Sequence, residues 1–356
     1  MIEKLNMDVF RSERNPIIKP EDVAPSRPDF KVVSVFNCGA TRFNGEILLL
    51  MRVAEKPVNN DKKVEIAPLL DLEAGKISVK EFNKDDSSFA FSDPRFIRTT
   101  SGWYLTTISH LRIARSKNGT DFIVDEKPAM SPENKYERFG MEDPRITQIN
   151  GMYYISYCAV SDLNGITTCL ASTTDFIEFT RHGVIFLPDN KDVAIFPEKI
   201  RDKYYALNRP VSTGCEARDM WISESSDLIC WGNHMKLMGT RKQYWDEGSI
   251  GAGAVPFRVK EGWLEIYHGS SKINRYCLGA VLLDAGEPSK VIARTKEPMI
   301  QPEMDYEING FFGNVIFTCG CLYEEDRVKI YYGAADTCIA YAEINLDDIL
   351  CQLDYI

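Results

Sequence analysis

The sequence predicts an all-β fold, a five-bladed β-propeller, from three observations. A unit recurs along the chain: a turn, an aromatic β-rich strand, a loop, and a second strand that often ends in a Ser/Asp turn. Its period of roughly 50 to 65 residues lies in the range of blades and solenoids. Helical periodicity is nearly absent, and 346–350 is the one stretch that reads as helix. Repeated small sheets arranged around an axis protect their edges by radial repetition, and closed all-β architectures often run to this length as one domain.

Taken in order, residues 1–30 are polar and carry Pro16, Pro20, Pro25 and Pro28, so they read as an extended arm lying on the body. Residues 31–356 read as a single propeller domain. Recurring units begin at Gly45, Gly102, Gly151, Lys203, Gly262 and Val328. Examples are Gly102-Trp-Tyr-Leu, Gly151-Met-Tyr-Tyr and Gly262-Trp-Leu-Glu. Ser/Thr and Asp recur after the second strand, as at Asp121, Asp175 and Asp227. Closure of a ring explains why the first and last units differ from those between them.

Composition narrows the function. An apolar fraction of 44% supports a large core, and a formal charge of -10 excludes the basic footprint of a nucleic-acid binder. The charge leaves a neutral substrate such as a sugar open. The ten cysteines are scattered with no CxxC pair, and several lie in apolar strand-like runs as small hydrophobes. Reduced structural thiols favour a cytoplasmic setting. The first residues do not read as a signal peptide, and no run reaches the ~18 apolar residues of a membrane span. No His/Asp/Glu spacing points to a metal, and no Gly-rich strand-to-helix loop points to a nucleotide.

The chemistry gathers around Arg138-Phe-Gly-Met-Glu-Asp-Pro-Arg-Ile146. Pro144 fixes the chain between two acids, Glu142 and Asp143, and a guanidinium, Arg145. Either Arg145 satisfies a neighbouring carboxylate in a charged turn, or Asp143 is a catalytic carboxylate. A second copy, Asp93-Pro-Arg95, reads as a repeat-level turn with Asp93 capping backbone amides. In a propeller, equivalent positions of distant repeats converge on the channel. That brings Asn37, Arg52, Asp93, Arg95, Asp143, Arg145, Asp192, Arg209, Glu247, His268 and Asp336 into consideration. His110, His182 and His234 read as packing or surface positions.

Eight segments in order then resemble one family: Phe36-Asn-Cys-Gly-Ala40, Met51-Arg52, Gly140-Met-Glu-Asp-Pro-Arg-Ile146, the run 190–199, Asn208-Arg-Pro210, Ile250-Gly-Ala-Gly253, Tyr267-His-Gly269 and Tyr332-Gly-Ala-Ala-Asp-Thr337. The likeness is to glycoside hydrolase family 130, the β-mannoside phosphorylases and β-1,2-mannosidases, and it covers nearly everything after residue 30. It implies a five-bladed propeller with an axial site. It further implies that Asp143 is the acid, its proton relayed through the 3-hydroxyl of the bound mannosyl unit, and that Arg52 and Asp336 hold that ring. Glu142, Arg145 and Asp192 complete the expected substrate-binding set.

For phosphate, the resemblance implies Asn37, Lys191, Arg209, His268 and Tyr276, with inorganic phosphate as co-substrate and no other cofactor. Two departures weigh against it: Cys38 stands for a serine, and Ser249 for the lysine before Ile-Gly-Ala-Gly. Loss of one ammonium from a desolvated dianion site costs on the order of a few kcal/mol, and Asp246 and Glu247 would add repulsion. An inverting hydrolase needs a carboxylate base roughly 6.5 to 9.5 Å from the acid. Glu247 is the first candidate and Glu307 the second. The expectation is therefore an inverting β-mannosidase, with phosphorolysis to mannose 1-phosphate as the alternative and a non-catalytic carbohydrate-binding propeller as the competing class. The partner is a small oligosaccharide, with no nucleic acid and no membrane, and the proline-rich arm can reach a second subunit in a homo-oligomer. Linkage and acceptor depend on loops such as 56–90 and 211–219.

Overall fold

The computed structural model describes residues 8–211 and 218–356, so the 211–219 loop lies mostly outside the described residues. The chain is all-β, with short helical turns such as Leu346–Cys351, where the sequence predicts helix. Its strands form five four-stranded antiparallel groups in chain order. The first contains Phe30–Phe43, Glu46–Pro57 and Ile108–Ser116, with Ile123–Val124 at its edge. The second runs Gly140–Ile149, Met152–Ser161, Gly165–Thr173 and Thr180–Phe186. A lone parallel bridge from Gly140 to Ser109 joins these two groups into one eight-stranded sheet.

The third group runs Asn190–Ile195, Tyr204–Pro210, Met220–Ser225 and Trp231–Met238. The fourth is Ser249–Gly251, Gly262–Ser270, Tyr276–Leu283 and Val291–Thr295, extended outward by Leu353–Tyr355. The fifth is Ile316–Glu324, Arg327–Ala334 and Cys338–Asn345, and its fourth strand is Phe10–Arg11 from the N-terminal arm. The arm is thus part of a sheet as well as a strap. Its residues 24 and 26 are tied down by Arg112, which donates to the Ala24 carbonyl, and by Glu55, which accepts from the Ser26 amide.

Local chemistry sets these registers. Asn44-Gly45 and Asn150-Gly151 both have positive φ at their two residues, the mark of a type I′ turn, whose twist suits a two-residue hairpin. They pair Phe43 with Glu46 and Ile149 with Met152. At the third-to-fourth strand turn, Thr173 and Ser225 accept the amides two and three residues on, and Asp175 and Asp227 then accept two more. That is the recurring Ser/Asp turn of the sequence.

The recurring units themselves are the second and third strands of each sheet. The unit at Gly102 is the exception. Gly102–Leu105 belongs to a small three-stranded sheet, inserted with the hairpin Val64–Asp71 and Lys76–Asn83 between the second and third strands of the first group. Six apparent repeats therefore correspond to five sheets.

The core is divided in the same way. One apolar cluster, around Leu50, Ile113, Ile155 and Tyr157, lies between the first and second sheets. Others fill the second-to-third, third-to-fourth and fourth-to-fifth junctions. A fifth cluster, with Val35, Leu49, Tyr331 and Ile339, packs the fifth sheet against the first. Each sheet thus buries both of its faces against its neighbours, which accounts for runs such as Gly262–Ser270 being buried along their whole length.

Candidate active site

The first strand breaks its register at a corresponding place in four of the five sheets; in the fourth sheet Ser249–Gly251 pairs without a skip. The skips fall between Phe36 and Gly39, Glu142 and Arg145, Lys191 and Ala194, and Thr318 and Gly320. In the first three, the bulged residue is Asn37, Asp143 or Asp192, each left-handed with φ of 48°, 52° and 58°. Asp336 has φ 49° in the tight turn between the second and third strands of the fifth sheet. Asn and Asp are the non-glycine residues that tolerate this left-handed backbone best. Bulges are a means of re-aiming a side chain, and these four point into one cavity of about 450 Å³, within the size range of small-molecule sites.

At its heart, Arg52 spends every guanidinium nitrogen. Nη1 donates to Asp143 at 3.1 Å, Nη2 to Glu142 at 2.6 Å and Nε to the Ser109 hydroxyl at 3.1 Å. Its flat face lies 4.5 Å from the centre of the Phe36 ring. Asn37 Nδ2 donates to the same Asp143 oxygen at 2.9 Å. Ser109 is held from the other side, because Gly140, at φ 116°, passes so close that a Cβ there would sit 2.5 Å from the Ser109 amide. Ser109 therefore ties Arg52 to the segment that carries both acids. Asp336 faces this group, and burial raises its carboxyl to about 7 against the opposing pull of Arg52.

A second cluster is built on Asp192. Burial alone would raise its carboxyl, but Arg209 and His268 hold it well below the ordinary range. Arg209 Nε donates to it at 2.6 Å, and His268 Nε2 is 3.4 Å away. Gly251 lies beneath this pair, where a Cβ would stand 2.4 Å from Asp192 Oδ2. Lys191 pairs across the strands with Arg209, and both line the cavity together with Tyr276.

Most of the residues expected from sequence are thus brought together: Asn37, Arg52, Glu142, Asp143, Lys191, Asp192, Arg209, Tyr276 and Asp336 all line the cavity. Four do not. Arg145 is fully buried behind the wall, where it donates to the carbonyls of Ala252, Gly253 and Asp143, and so acts as a structural clasp and not a substrate contact. His268 sits behind Asp192 with its ring 4.3 Å from that of Phe317. Glu247 accepts the Gln243 amide, faces Lys272 at 3.8 Å and does not line the cavity. Glu307 is fully buried and holds Arg11 at 2.9 Å and the Tyr332 hydroxyl at 2.7 Å. Neither glutamate lines the cavity that holds Asp143.

The repulsion expected from Asp246 is also absent. That carboxylate is buried and satisfied by Arg241 at 2.7 Å, Arg294 at 2.5 Å and the Tyr267 hydroxyl. Ser249 bonds to Ser270, and Cys38 is buried with its thiol raised to about 12 by desolvation. Sequence reasoning missed Trp103 and Arg98, which reach the cavity from the insertion, and Asp189; Arg95, set among the converging positions but read with Asp93 as a structural turn, lines the cavity too. Arg95 had a signal in the duplicated Asp-Pro-Arg. Asp93 does cap the Arg95 amide, as expected, but the arginine beyond it faces the site. Among the described residues no group of His, Cys, Asp and Glu is arranged to hold a metal.

A family model described as beta-1,4-mannooligosaccharide phosphorylase (Glyco_hydro_130) matches residues 104–354. A beta-1,2-mannobiose phosphorylase of Listeria innocua serovar 6a is 46% identical, covering 98% of this chain and 99% of its own length. A 1,2-beta-oligomannan phosphorylase of Thermoanaerobacter sp. (strain X514) is 42% identical over 68% of this chain and 80% of its own. The solved structure of a beta-1,2-mannobiose phosphorylase from Listeria innocua with beta-1,2-mannobiose superposes with a TM-score of 0.94, covering 97% of this chain and 99% of that one. On the strength of a model matching most of its length and a relative this similar end to end, the chain belongs to glycoside hydrolase family 130.

Proposed function

We propose that the chain is an inverting β-mannoside phosphorylase that cleaves β-1,2-mannobiose with inorganic phosphate to give mannose and α-mannose 1-phosphate. In this reading the five sheets are the blades of a propeller spanning residues 31–356, the cavity lies on its axis, and residues 1–30 are the arm that closes the last blade. One observation carries the choice of phosphorolysis over the hydrolysis expected from sequence. The cavity lines up Lys191, Arg209 and Arg95 with Tyr276, while both carboxylates suggested as a water-activating base lie outside it. The relatives' names support the same choice and favour the β-1,2 linkage.

The chemistry follows from which groups are present. Arg52, Glu142 and Asp336 hold the mannosyl hydroxyls, for which paired charged groups are suited. Asp143 supplies the proton that reaches the glycosidic oxygen through the sugar's 3-hydroxyl as the C1–O bond breaks. A phosphate oxygen attacks C1 from the opposite face and forms the new bond, so configuration inverts. Phosphate is itself the nucleophile, and this reaction, unlike hydrolysis, needs no carboxylate base. The protein's task there is to offset a dianion's charge as its water is stripped away.

No helix among the described residues is long and apolar enough to cross a membrane. With its nine described cysteines free and six of those buried among apolar strands or at their ends, the chain suits a reducing cytoplasm. The test is to incubate the protein with β-1,2-mannobiose with and without phosphate. Equal amounts of mannose and mannose 1-phosphate, formed only with phosphate, are expected. Free mannose released at a rate indifferent to phosphate overturns the reading.

A further inference from the structure

Two cations in the cavity, Arg95 and Arg98, come from outside the five sheets. Arg95 lies between the inserted strands Ala90–Asp93 and Phe96–Thr99. Its guanidinium is held on one edge, with Nε and Nη2 donating to Asp93 at 3.0 and 2.8 Å, and its face packs 4.2 Å from the centre of the Phe312 ring. Nη1 makes no hydrogen bond to the described residues. The side chain is therefore oriented before any ligand arrives and keeps one donor edge free.

The free edge belongs to a cavity that Lys191 and Arg209 also line, the latter with its Nε on Asp192 at 2.6 Å. Tyr276 and Asp336 line the same cavity as Arg95 and Arg209. Lys191 stands across the strand pair from Arg209, and its ammonium makes no hydrogen bond or ion pair with the described residues. Two planar forks and one ammonium around a phenol suit an oxyanion better than a neutral sugar, because a guanidinium edge matches phosphate geometry and charge together. Asp93 does not compete for that anion, since its oxygens are taken up by Arg95 and by the Arg95 amide.

We infer that Arg95 is a binding residue for inorganic phosphate, its Nη1 edge completing with Arg209 and Lys191 a three-cation site beside Tyr276. The inference rests on the phosphorolytic reading and names how that site obtains its charge although Ser249 contributes none. The insertion then does more than border the cavity: it supplies part of the co-substrate site.

The experiment is steady-state phosphorolysis of β-1,2-mannobiose at varied phosphate by the wild type, Arg95→Ala, Arg95→Lys and Arg95→Gln. Glutamine keeps an amide to bond Asp93, so it serves where alanine disturbs the insertion. The KM for phosphate is expected to rise at least ~10-fold in the alanine and glutamine variants and less in lysine, with the KM for mannobiose within ~3-fold of wild type. A phosphate-dependent wild type whose Arg95 variants keep their phosphate KM, or lose sugar affinity instead, overturns the inference alone. A wild type indifferent to phosphate overturns the reading and the inference together.

Discussion

Asp336→Asn tests the electrostatics of the cavity without depending on any substrate. Asparagine tolerates the left-handed backbone that Asp336 adopts at φ 49°, so the change removes a titrating group with little strain. Burial raises this carboxyl from its ordinary value of 3.8 to about 7, opposed by Arg52 and Arg95 and reinforced by Asp143 and Glu142. At about 1.36 kcal/mol per pH unit, that rise is worth about 4 kcal/mol. The side chain is only half-buried against the cavity, so water screens part of it and about 2 kcal/mol is the realistic figure.

The sign is determined by which state keeps the proton. Below the unfolded value near 3.8 both states are protonated and the contribution is complete. Between about 4 and about 7 the unfolded chain ionises while the folded one does not, so wild-type stability falls relative to the variant as pH rises. Above about 7 the difference is flat. Urea denaturation of both proteins from pH 4.5 to 8.5, followed by tryptophan fluorescence, measures it. A stability difference that is constant through pH 4.5–7, or that moves in favour of the wild type, refutes the reasoning.

Three other substitutions probe separate parts of the argument. Ser109→Ala leaves Arg52 Nε without its acceptor, a loss of about 1–3 kcal/mol. It is expected to lower kcat by ~10-fold or more with the protein still folded, and Ser109→Thr, which keeps the oxygen, should recover most of it. Glu247→Gln should leave the phosphorolysis rate within ~2-fold, as for an ordinary surface change; a ~100-fold loss would restore that glutamate as a catalytic group. Glu307→Ala uncovers Arg11 and Tyr332 in the interior and should cost about 3–5 kcal/mol, seen as a lower urea midpoint. An unchanged midpoint would remove Glu307 from the structural role assigned to it.

The parts of the fold that were legible in the sequence are those repeated by local chemistry. The second and third strands of each sheet announce themselves because turns such as Asn150-Gly151 and Ser225-Ser-Asp227 need particular residues at particular places. The unit at Gly102 shows the limit: Gly102-Trp-Tyr-Leu satisfies the same local rules while belonging to an insertion. What separates the two is which surface the strand packs on, and that depends on partners far away in the chain. The arm posed the same difficulty. Phe10-Arg11 carries too little pattern to reveal that it completes the fifth sheet by pairing with Glu343 and Ala342.

The two Asp-Pro-Arg segments show why site residues were only half legible. In the segment at 143–145 the aspartate enters the cavity and the arginine turns back to clasp Ala252 and Gly253. In the segment at 93–95 the aspartate is the structural member and the arginine faces the cavity. The tripeptide is identical, and what differs is the bulge. At Asp143 the strand skips register and the backbone turns left-handed, which aims the carboxylate inward, whereas at 93–95 the turn joins two short strands and leaves Asp93 beside its own amides. The same reasoning accounts for Asp246. Its charge could be counted from the sequence, but its position against Arg241 and Arg294 could not, and a count of acids near Ser249 therefore predicted repulsion that the fold cancels. In a site of this kind the charge that a ligand meets is decided by backbone geometry at the strand ends, and the number of ionisable residues nearby is a poor guide to it.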